Sequence, residues 1–202
     1  VPNHPLTLDL LYGLYFPLAA PSANPFEYVS PTNPFHVLEQ LGDEIEFILD
    51  GGDCQVGIES TIIRLENNRI EILRQGGITK AELESKTKLE VVVLDDEKRQ
   101  NMPGSHKKHY SNNKNVELFE NGEKAPNLNQ NECALLFSKP QIEIENCFYL
   151  CENGDTTEAA QNLFKILREL GKSSFDKIFI EKAPQKGLGP AINERLVRAA
   201  AQ

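Results

Sequence analysis

The sequence lacks the patterns of a membrane or secreted protein. No apolar run approaches the ~20 residues that a helix needs to cross a bilayer. The N-terminal stretch "VPNHPLTLDLL" has neither the basic region nor the small-residue cleavage site of a signal peptide. We therefore expect a protein without a membrane segment that is located in the cytoplasm. The chain also lacks an initiator Met, which is expected of a piece of a longer protein.

Basic residues are scarce relative to acidic ones. The 202 residues include 21 Lys and Arg against 30 Asp and Glu, a formal net charge of −9. Tight non-specific binding to nucleic acid requires cations that neutralise phosphates. Strong direct binding to nucleic acid is therefore disfavoured, although the overall balance does not exclude a local basic site.

Several motifs of known chemistry are missing as well. No Cys-x-x-Cys pair occurs and no histidine lies near a cysteine in the sequence, so a zinc site is not expected. The chain has no Gly-Lys-Ser/Thr of a P-loop and no Gly-x-Gly-x-x-Gly of a dinucleotide site. It shows no catalytic triad and no paired carboxylates of defined spacing. No catalytic base can therefore be named from motifs.

What is present is an alternation of helix and strand patterns. Residues 1–95 are predicted to be mixed α/β, with one helix capped by Asn33 and ended by Gly42. Strand patterns occur at 18–20, a short apolar run, and at 44–49, where apolar residues alternate with polar ones. Residues 60–74 are typical of a hairpin that turns at Asn67 and Asn68, and a capping box at Thr79 precedes a short helix.

A linker pattern separates the first part of the chain from the second. Residues 96–115 are rich in Lys, Asn and His, and they show no apolar periodicity. Residues 116–202 then alternate strand and helix with short connections, which predicts a small parallel α/β domain. Its clearest helix has a predicted capping box of Asp155 and Glu158 and ends at Gly171.

Hydroxyl and amide groups at predicted strand ends are the first candidates for a binding site. Ser22 and Asn24 lie between prolines after the predicted strand at 18–20, where they could bind a phosphate, a ribose or a backbone group. From these two residues alone, a Ser or Asx turn is the favoured interpretation. Ser60 and Thr61 follow a glycine-containing stretch, and their adjacent hydroxyls can cradle an anion. A hairpin entry explains the same stretch equally well.

Basic groups form the second set of candidates. Arg74 ends a predicted strand before two glycines, where its planar guanidinium suits a phosphate. A solvated Arg at a strand end is the commoner case. His109 and Tyr110 belong to "PGSHKKHYS", a basic and aromatic cluster. This cluster predicts either an exposed linker or a segment that closes over an anionic ligand and excludes water.

Taken in order, the stretches "FPLAAPSANPF", "ILDGGDCQVGIESTIIRL", "ILRQGGIT", "PGSHKKHYS" and "GLGPAINERLVRAAA" resemble the threonylcarbamoyl-AMP synthase family. The resemblance extends over the whole chain, with matching order and spacing. It implies an α/β fold in three parts. These are the C-terminal half of a YrdC-like twisted α/β sheet domain (1–95), a linker (96–115) and a small Rossmann-like parallel α/β domain (116–202).

The resemblance also implies an activity. The family makes threonylcarbamoyl-AMP and pyrophosphate from L-threonine, bicarbonate and ATP, as a nucleotidyltransferase step in the threonylcarbamoyladenosine modification of tRNA. Mg²⁺ is implied because ATP chemistry usually requires it, and the proteins that transfer the group to tRNA are implied as downstream partners. The matched positions in the ATP or adenylate site are Ser22, Asn24, Ser60, Thr61 and Arg74. His109 and Tyr110 match the linker that lies over the active site.

Two departures from the family pattern affect this expectation. The family linker usually continues His-Tyr-Ala/Ser with Pro, but Asn112 follows Ser111 here, so a constraint on the loop is lost. The family's Thr-Glu-Thr-x-Tyr-Gly-Leu stretch and its basic Lys-x-Arg motif do not occur in the 202 residues. We therefore expect a chain that lacks the N-terminal part of the YrdC-like domain, exposes apolar surface and has negligible synthase activity by itself.

Two alternative functions remain. The first is a non-catalytic nucleotide-binding or regulatory module. The second is a carbamoyl-transfer relative, which the linker and the C-terminal domain disfavour.

Overall fold

The structure is a computed structural model that describes residues 2–25, 28–95 and 114–201. Most of the predicted linker, with His109 and Tyr110, therefore lies outside the described residues. No helix in the described part of the chain is long and apolar enough to cross a membrane. The elements are α1 (Pro5–Tyr12), α2 (Pro34–Leu41), β1 (Ile62–Glu66), β2 (Arg69–Arg74), α3 (Lys80–Thr87), β3 (Val91–Val93), β4 (Asn115–Phe119), β5 (Glu132–Ser138), β6 (Cys147–Cys151), α4 (Thr156–Lys172), β7 (Lys177–Glu181) and α5 (Gly189–Ala200).

The first sheet has the strand order β1-β2-β3. Strands β1 and β2 form the predicted antiparallel hairpin, and Asn67 and Asn68 both adopt positive φ values of 48° and 60°. Two such residues give the turn that matches the twist of a hairpin. Strand β3 then pairs in parallel with β2 after α3, whose predicted capping box between Thr79 and Glu82 is present.

The second sheet is parallel throughout its described pairs and has the order β4-β7-β5-β6. Helices α4 and α5 supply apolar side chains to the same large core as the sheet, among them Leu163 and Ile192, which are fully buried. The sheet contributes Leu135 and Ile178 to that core. The prediction of a small parallel α/β domain is confirmed.

Two predicted strands are not formed. Residues 18–20 and 44–49 have no strand structure, and Leu18 and Phe47 are 51% and 87% exposed. A strand is stable only when a neighbour satisfies its backbone hydrogen bonds, and none of the described strands pairs with either stretch. The apolar run at 18–20 and the alternating pattern at 44–49 were therefore misleading signals. Ser22 and Asn24 follow irregular backbone and not a strand.

The start and end of α4 also differ from the prediction. The Asp155 side chain caps the helix by accepting a hydrogen bond from the Thr157 amide at 2.8 Å. The Glu158 carboxylate does not complete a capping box, because it accepts from the amide of Glu152 at 3.2 Å. The helix runs one residue beyond Gly171, to Lys172.

The first part of the chain packs directly on the second. Val29 is 4% exposed and belongs to the large core of the parallel sheet, and Ile58 packs against that core. Gly57 lies so close to α4 that an added Cβ would be 2.4 Å from the carbonyl oxygen of Ala160. Elsewhere in the first part, large apolar side chains are exposed, including Tyr12, Tyr15, Phe16, Phe35 and Phe47.

Candidate functional site

The antiparallel hairpin brings Ser60 and Arg74 together. Strand β1 starts two residues after Ser60, and its first residue, Ile62, pairs with Arg74 at the end of β2. The Arg74 guanidinium donates from Nε to the Ser60 carbonyl oxygen at 3.0 Å and from Nη2 to the Ser60 Oγ at 3.2 Å. A hydroxyl and a guanidinium thus meet at a solvent-exposed corner of the hairpin, a combination that suits an anionic ligand.

The other two arginines of this hairpin point to a different partner. Arg64 and Arg69 both bind the Glu71 carboxylate, at 2.5 and 2.6 Å, and the Glu71 side chain is only 3% exposed. Hydrogen bonds from Arg64 and then Arg69 hold the pKa of Glu71 below its ordinary value. Arg64 also pairs with Glu66 at 3.0 Å, so these two cations face two carboxylates within the hairpin.

Thr61 has a structural role beside this pair. Its Oγ1 donates to the Ile78 carbonyl oxygen at 2.6 Å and accepts from the Ile78 amide at 3.0 Å. The hydroxyl therefore ties the start of β1 to the loop after β2. Gly76 lies in that loop, and an added Cβ would be 2.3 Å from the Glu59 carbonyl oxygen, so the close approach requires glycine here.

Asn24 is held by its own turn. Its Nδ2 donates to the carbonyl oxygens of Pro25 and Tyr28 at 2.9 and 3.1 Å. Its Oδ1 is buried and has no hydrogen-bond partner among the described residues. A buried amide oxygen without a donor is costly unless a ligand or water supplies one. Ser22, two residues earlier, is exposed.

The contacts thus bring Ser60, Thr61 and Arg74 together, whereas the hydrogen bonds described for Asn24 reach only Pro25 and Tyr28. Two cavities of about 410 and 510 Å³ are each lined by Gln75 and by residues of α5. Ser60, Arg74 and Asn24 line neither cavity. The exposed corner at Ser60 and Arg74, and not these two cavities, carries the predicted binding groups.

Sequence reasoning missed two charged residues next to the site. The Glu59 carboxylate accepts from the Ser30 hydroxyl at 2.9 Å and from the Arg195 Nε at 3.1 Å. The available signal was Arg195, a charge between Ile192 and Leu196, two apolar residues that are fully buried on α5. A charge inside an apolar stripe indicates a buried partner.

Comparison with known proteins identifies the family of this chain. A family model described as "Threonylcarbamoyl-AMP synthase, C-terminal domain" matches residues 78–201. A second model, described as "Telomere recombination", matches residues 1–76.

Individual relatives agree with the family models. The threonylcarbamoyl-AMP synthase of Pyrococcus abyssi is 33% identical over 98% of this chain and 62% of its own length. The synthase of Schizosaccharomyces pombe is also 33% identical, over 99% of this chain and 56% of its own length. The crystal structure of P. abyssi Sua5 complexed with L-threonine superposes with a TM-score of 0.82 and 30% identity, covering 98% of this chain and 62% of that one. This chain thus spans about three fifths of the length of these relatives, and it belongs to the threonylcarbamoyl-AMP synthase family.

Proposed function

We propose that this chain takes part in the synthesis of threonylcarbamoyl-AMP from L-threonine, bicarbonate and ATP, with release of pyrophosphate. The observation that carries the proposal is the exposed Ser60–Arg74 pair, which lies at the positions where the family resemblance expects the phosphate contacts. The names of the relatives support the reaction. The complex of the P. abyssi protein with L-threonine supports threonine as a substrate.

The reaction assigned to this site is a nucleotidyl transfer. The threonine amine and bicarbonate first form a carbamate with loss of water. An oxygen of this carbamate, and not of the α-carboxylate, then forms a bond to the α-phosphorus of ATP, while the bond from that phosphorus to the oxygen bridging to the β-phosphorus breaks. Pyrophosphate leaves with the electron pair. Charge builds up on the phosphate oxygens during this step, and a guanidinium and a hydroxyl stabilise such charge.

Each side chain has a distinct task in this proposal. The planar fork of Arg74 binds phosphate oxygens of the nucleotide. Because the Ser60 Oγ accepts from Arg74, the Ser60 hydroxyl keeps its own hydrogen for a second phosphate oxygen. The Asn24 Oδ1, which has no hydrogen-bond partner within the part of the chain that the structure describes, accepts from a donor on the nucleotide, such as a ribose hydroxyl. The Thr61 hydroxyl holds the loop after β2 in place through its hydrogen bonds to the Ile78 backbone.

Mg²⁺ would accompany ATP in this reaction. Among the described residues, no group of three or more His, Cys, Asp or Glu side chains could hold a metal ion. These residues therefore do not fit a protein-ligated magnesium site. Magnesium commonly binds through substrate phosphates with few protein ligands, so we assign no residue of this chain to it.

The remaining proposals concern the setting of the reaction. The family resemblance assigns His109 and Tyr110, which lie outside the described residues, to a linker over the site. The reaction takes place in the cytoplasm, and the adenylate product is consumed by proteins that transfer its threonylcarbamoyl group to tRNA. These assignments rest on the family resemblance.

The binding site is tested by substitutions in the native gene product. Ser60→Ala and Arg74→Ala should each weaken ATP binding about tenfold, the effect of losing one hydrogen bond to a charged group. Arg64→Ala is the matched control, because it removes an arginine of the same hairpin that binds Glu71. Isothermal titration measures the affinity, and threonine-dependent pyrophosphate release measures turnover. Equal affinities in all four proteins would refute the assignment.

The 202-residue chain alone should bind ATP without turning it over, because it contains no Lys-x-Arg motif. Robust pyrophosphate release by this chain would show that the motif is dispensable. If the native gene product binds ATP but never releases pyrophosphate with threonine and bicarbonate present, the protein is a non-catalytic nucleotide-binding module.

A further inference from the structure

Helix α5 carries a buried arginine in its apolar face. The Arg195 side chain is only 1% exposed, and it lies between Ile192 and Leu196, which are fully buried. A buried guanidinium is costly unless ion pairs and hydrogen bonds compensate for its lost hydration. The partners of Arg195 therefore indicate why an arginine occupies this position.

Arg195 binds directly next to both members of the Ser60–Arg74 pair. Its Nε donates to the carboxylate of Glu59, the residue before Ser60, at 3.1 Å. Its Nη1 donates to the backbone carbonyl of Gln75, the residue after Arg74. A single guanidinium from the second part of the chain thus holds the two segments that supply the predicted phosphate contacts.

Other contacts fix the same two segments. The amide of Gln75 donates to the Glu194 carboxylate at 3.3 Å, so α5 binds both polar groups of the Gln75 backbone. The Ser30 hydroxyl donates to the second oxygen of the Glu59 carboxylate at 2.9 Å. The backbone at Glu59 and Gln75 is therefore held against α5 from several directions, which limits how far Ser60 and Arg74 can separate.

Charge gives a second reason for this arrangement. The Glu59 side chain is 17% exposed and immediately precedes Ser60. An unpaired carboxylate at this point would repel a phosphate. The ion pair with Arg195 neutralises that charge next to the predicted anion site.

We propose that Arg195 is a positioning residue for the nucleotide site, and that the small parallel α/β domain is part of this site through α5. This inference rests on the proposed function, since it concerns ATP at the Ser60–Arg74 pair. Arg195 does not bind the ligand. It sets the spacing of Ser60 and Arg74 and neutralises Glu59.

The test compares Arg195→Lys with a matched control, Arg168→Lys, in the native gene product. Arg168 is also buried, lies on α4 and donates to a carbonyl of the first part, that of Val29, at 2.7 Å. Both variants keep the positive charge but lose the planar guanidinium that donates several hydrogen bonds at once. Both should therefore unfold at a lower temperature. Only Arg195→Lys should weaken ATP binding, about tenfold. It should also lower kcat/KM for ATP while the KM for threonine stays unchanged.

The outcomes distinguish a positioning role of Arg195 from a purely structural one. Equal effects of the two variants on ATP affinity, or no effect of either, would overturn the inference and leave Arg195 a structural residue. If Arg195→Lys does not fold by circular dichroism, Glu59→Gln replaces it, because the amide removes the ion pair and retains the size of the side chain. Failure of the wild-type protein to bind ATP would refute the proposed function and this inference together. Normal wild-type binding with unaltered Arg195→Lys and Glu59→Gln affinities would refute the inference alone.

Discussion

At the scale of single residues, neighbours in the sequence have different tasks. Ser60 and Thr61 were both predicted to bind the ligand. The Ser60 hydroxyl meets the Arg74 guanidinium, whereas the Thr61 hydroxyl donates to and accepts from the backbone of Ile78. The role of Thr61 as a direct ligand of the nucleotide remains a prediction, and its role in bracing the loop is observed.

Replacing Thr61 with Val should therefore lower stability. Valine keeps the shape but leaves the Ile78 amide without its partner, which should reduce the free energy of unfolding by about 0.5–1.5 kcal/mol. Thr61→Ser retains the hydroxyl and is the control. Urea denaturation measures both. If the Ser and Val variants lose the same stability, the missing methyl group and not the hydrogen bond is responsible.

At the scale of elements, the β1–β2 hairpin builds the site. The pairing of Ile62 with Arg74, followed by a register shift between Ile62 and Ile63, places the guanidinium beside Ser60. The turn at Asn67 and Asn68 lies at the opposite end of the hairpin. Stability of the turn and affinity for the ligand should therefore be separable.

Asn68→Val tests this separation. Its φ of 60° lies in the left-handed region, where a β-branched residue costs about 1–2 kcal/mol. We expect that loss in thermal or chemical unfolding, with an unchanged dissociation constant for ATP. Asn68→Gly, which tolerates the same φ, should not lose stability to that extent. A change in ATP affinity as large as that of Arg74→Ala would show that the turn also controls the site.

At the scale of the whole molecule, the two parts are packed together close to the site. Gly57 approaches the backbone of α4, and Ile58 contacts the large core. Glu59 then binds Arg195. Three consecutive residues before Ser60 thus lie against the parallel α/β domain.

Two glycines provide a matched test of this packing. Gly57 and Gly52 have nearly equal φ values, +78° and +76°, but a Cβ at Gly52 would have no atom within 4 Å. Alanine should cause the same backbone strain at either position, because the φ values are nearly equal. Gly57→Ala should lose a further ~1–3 kcal/mol because it overpacks against α4. Differential scanning calorimetry compares the two variants, and equal melting temperatures would contradict the close packing.

Elements that depend on neighbouring residues could be predicted from the sequence. Asn33 caps α2 by accepting from the His36 amide, and Thr79 and Glu82 form their capping box. The hairpin turn at Asn67 and Asn68 and the parallel α/β order of residues 116–202 also follow from local periodicity, caps and turn residues. The motifs in order were sufficient for the family resemblance, which the family models confirm.

Only the tertiary structure decided the features that depend on distant partners. The stretches at 18–20 and 44–49 carry strand patterns, but strand formation needs a paired edge, and periodicity cannot supply one. Glu59 and Arg195 are 136 residues apart in the chain. Their contact requires both parts to be folded and packed, because a buried ion pair forms only where the surrounding core excludes water from it.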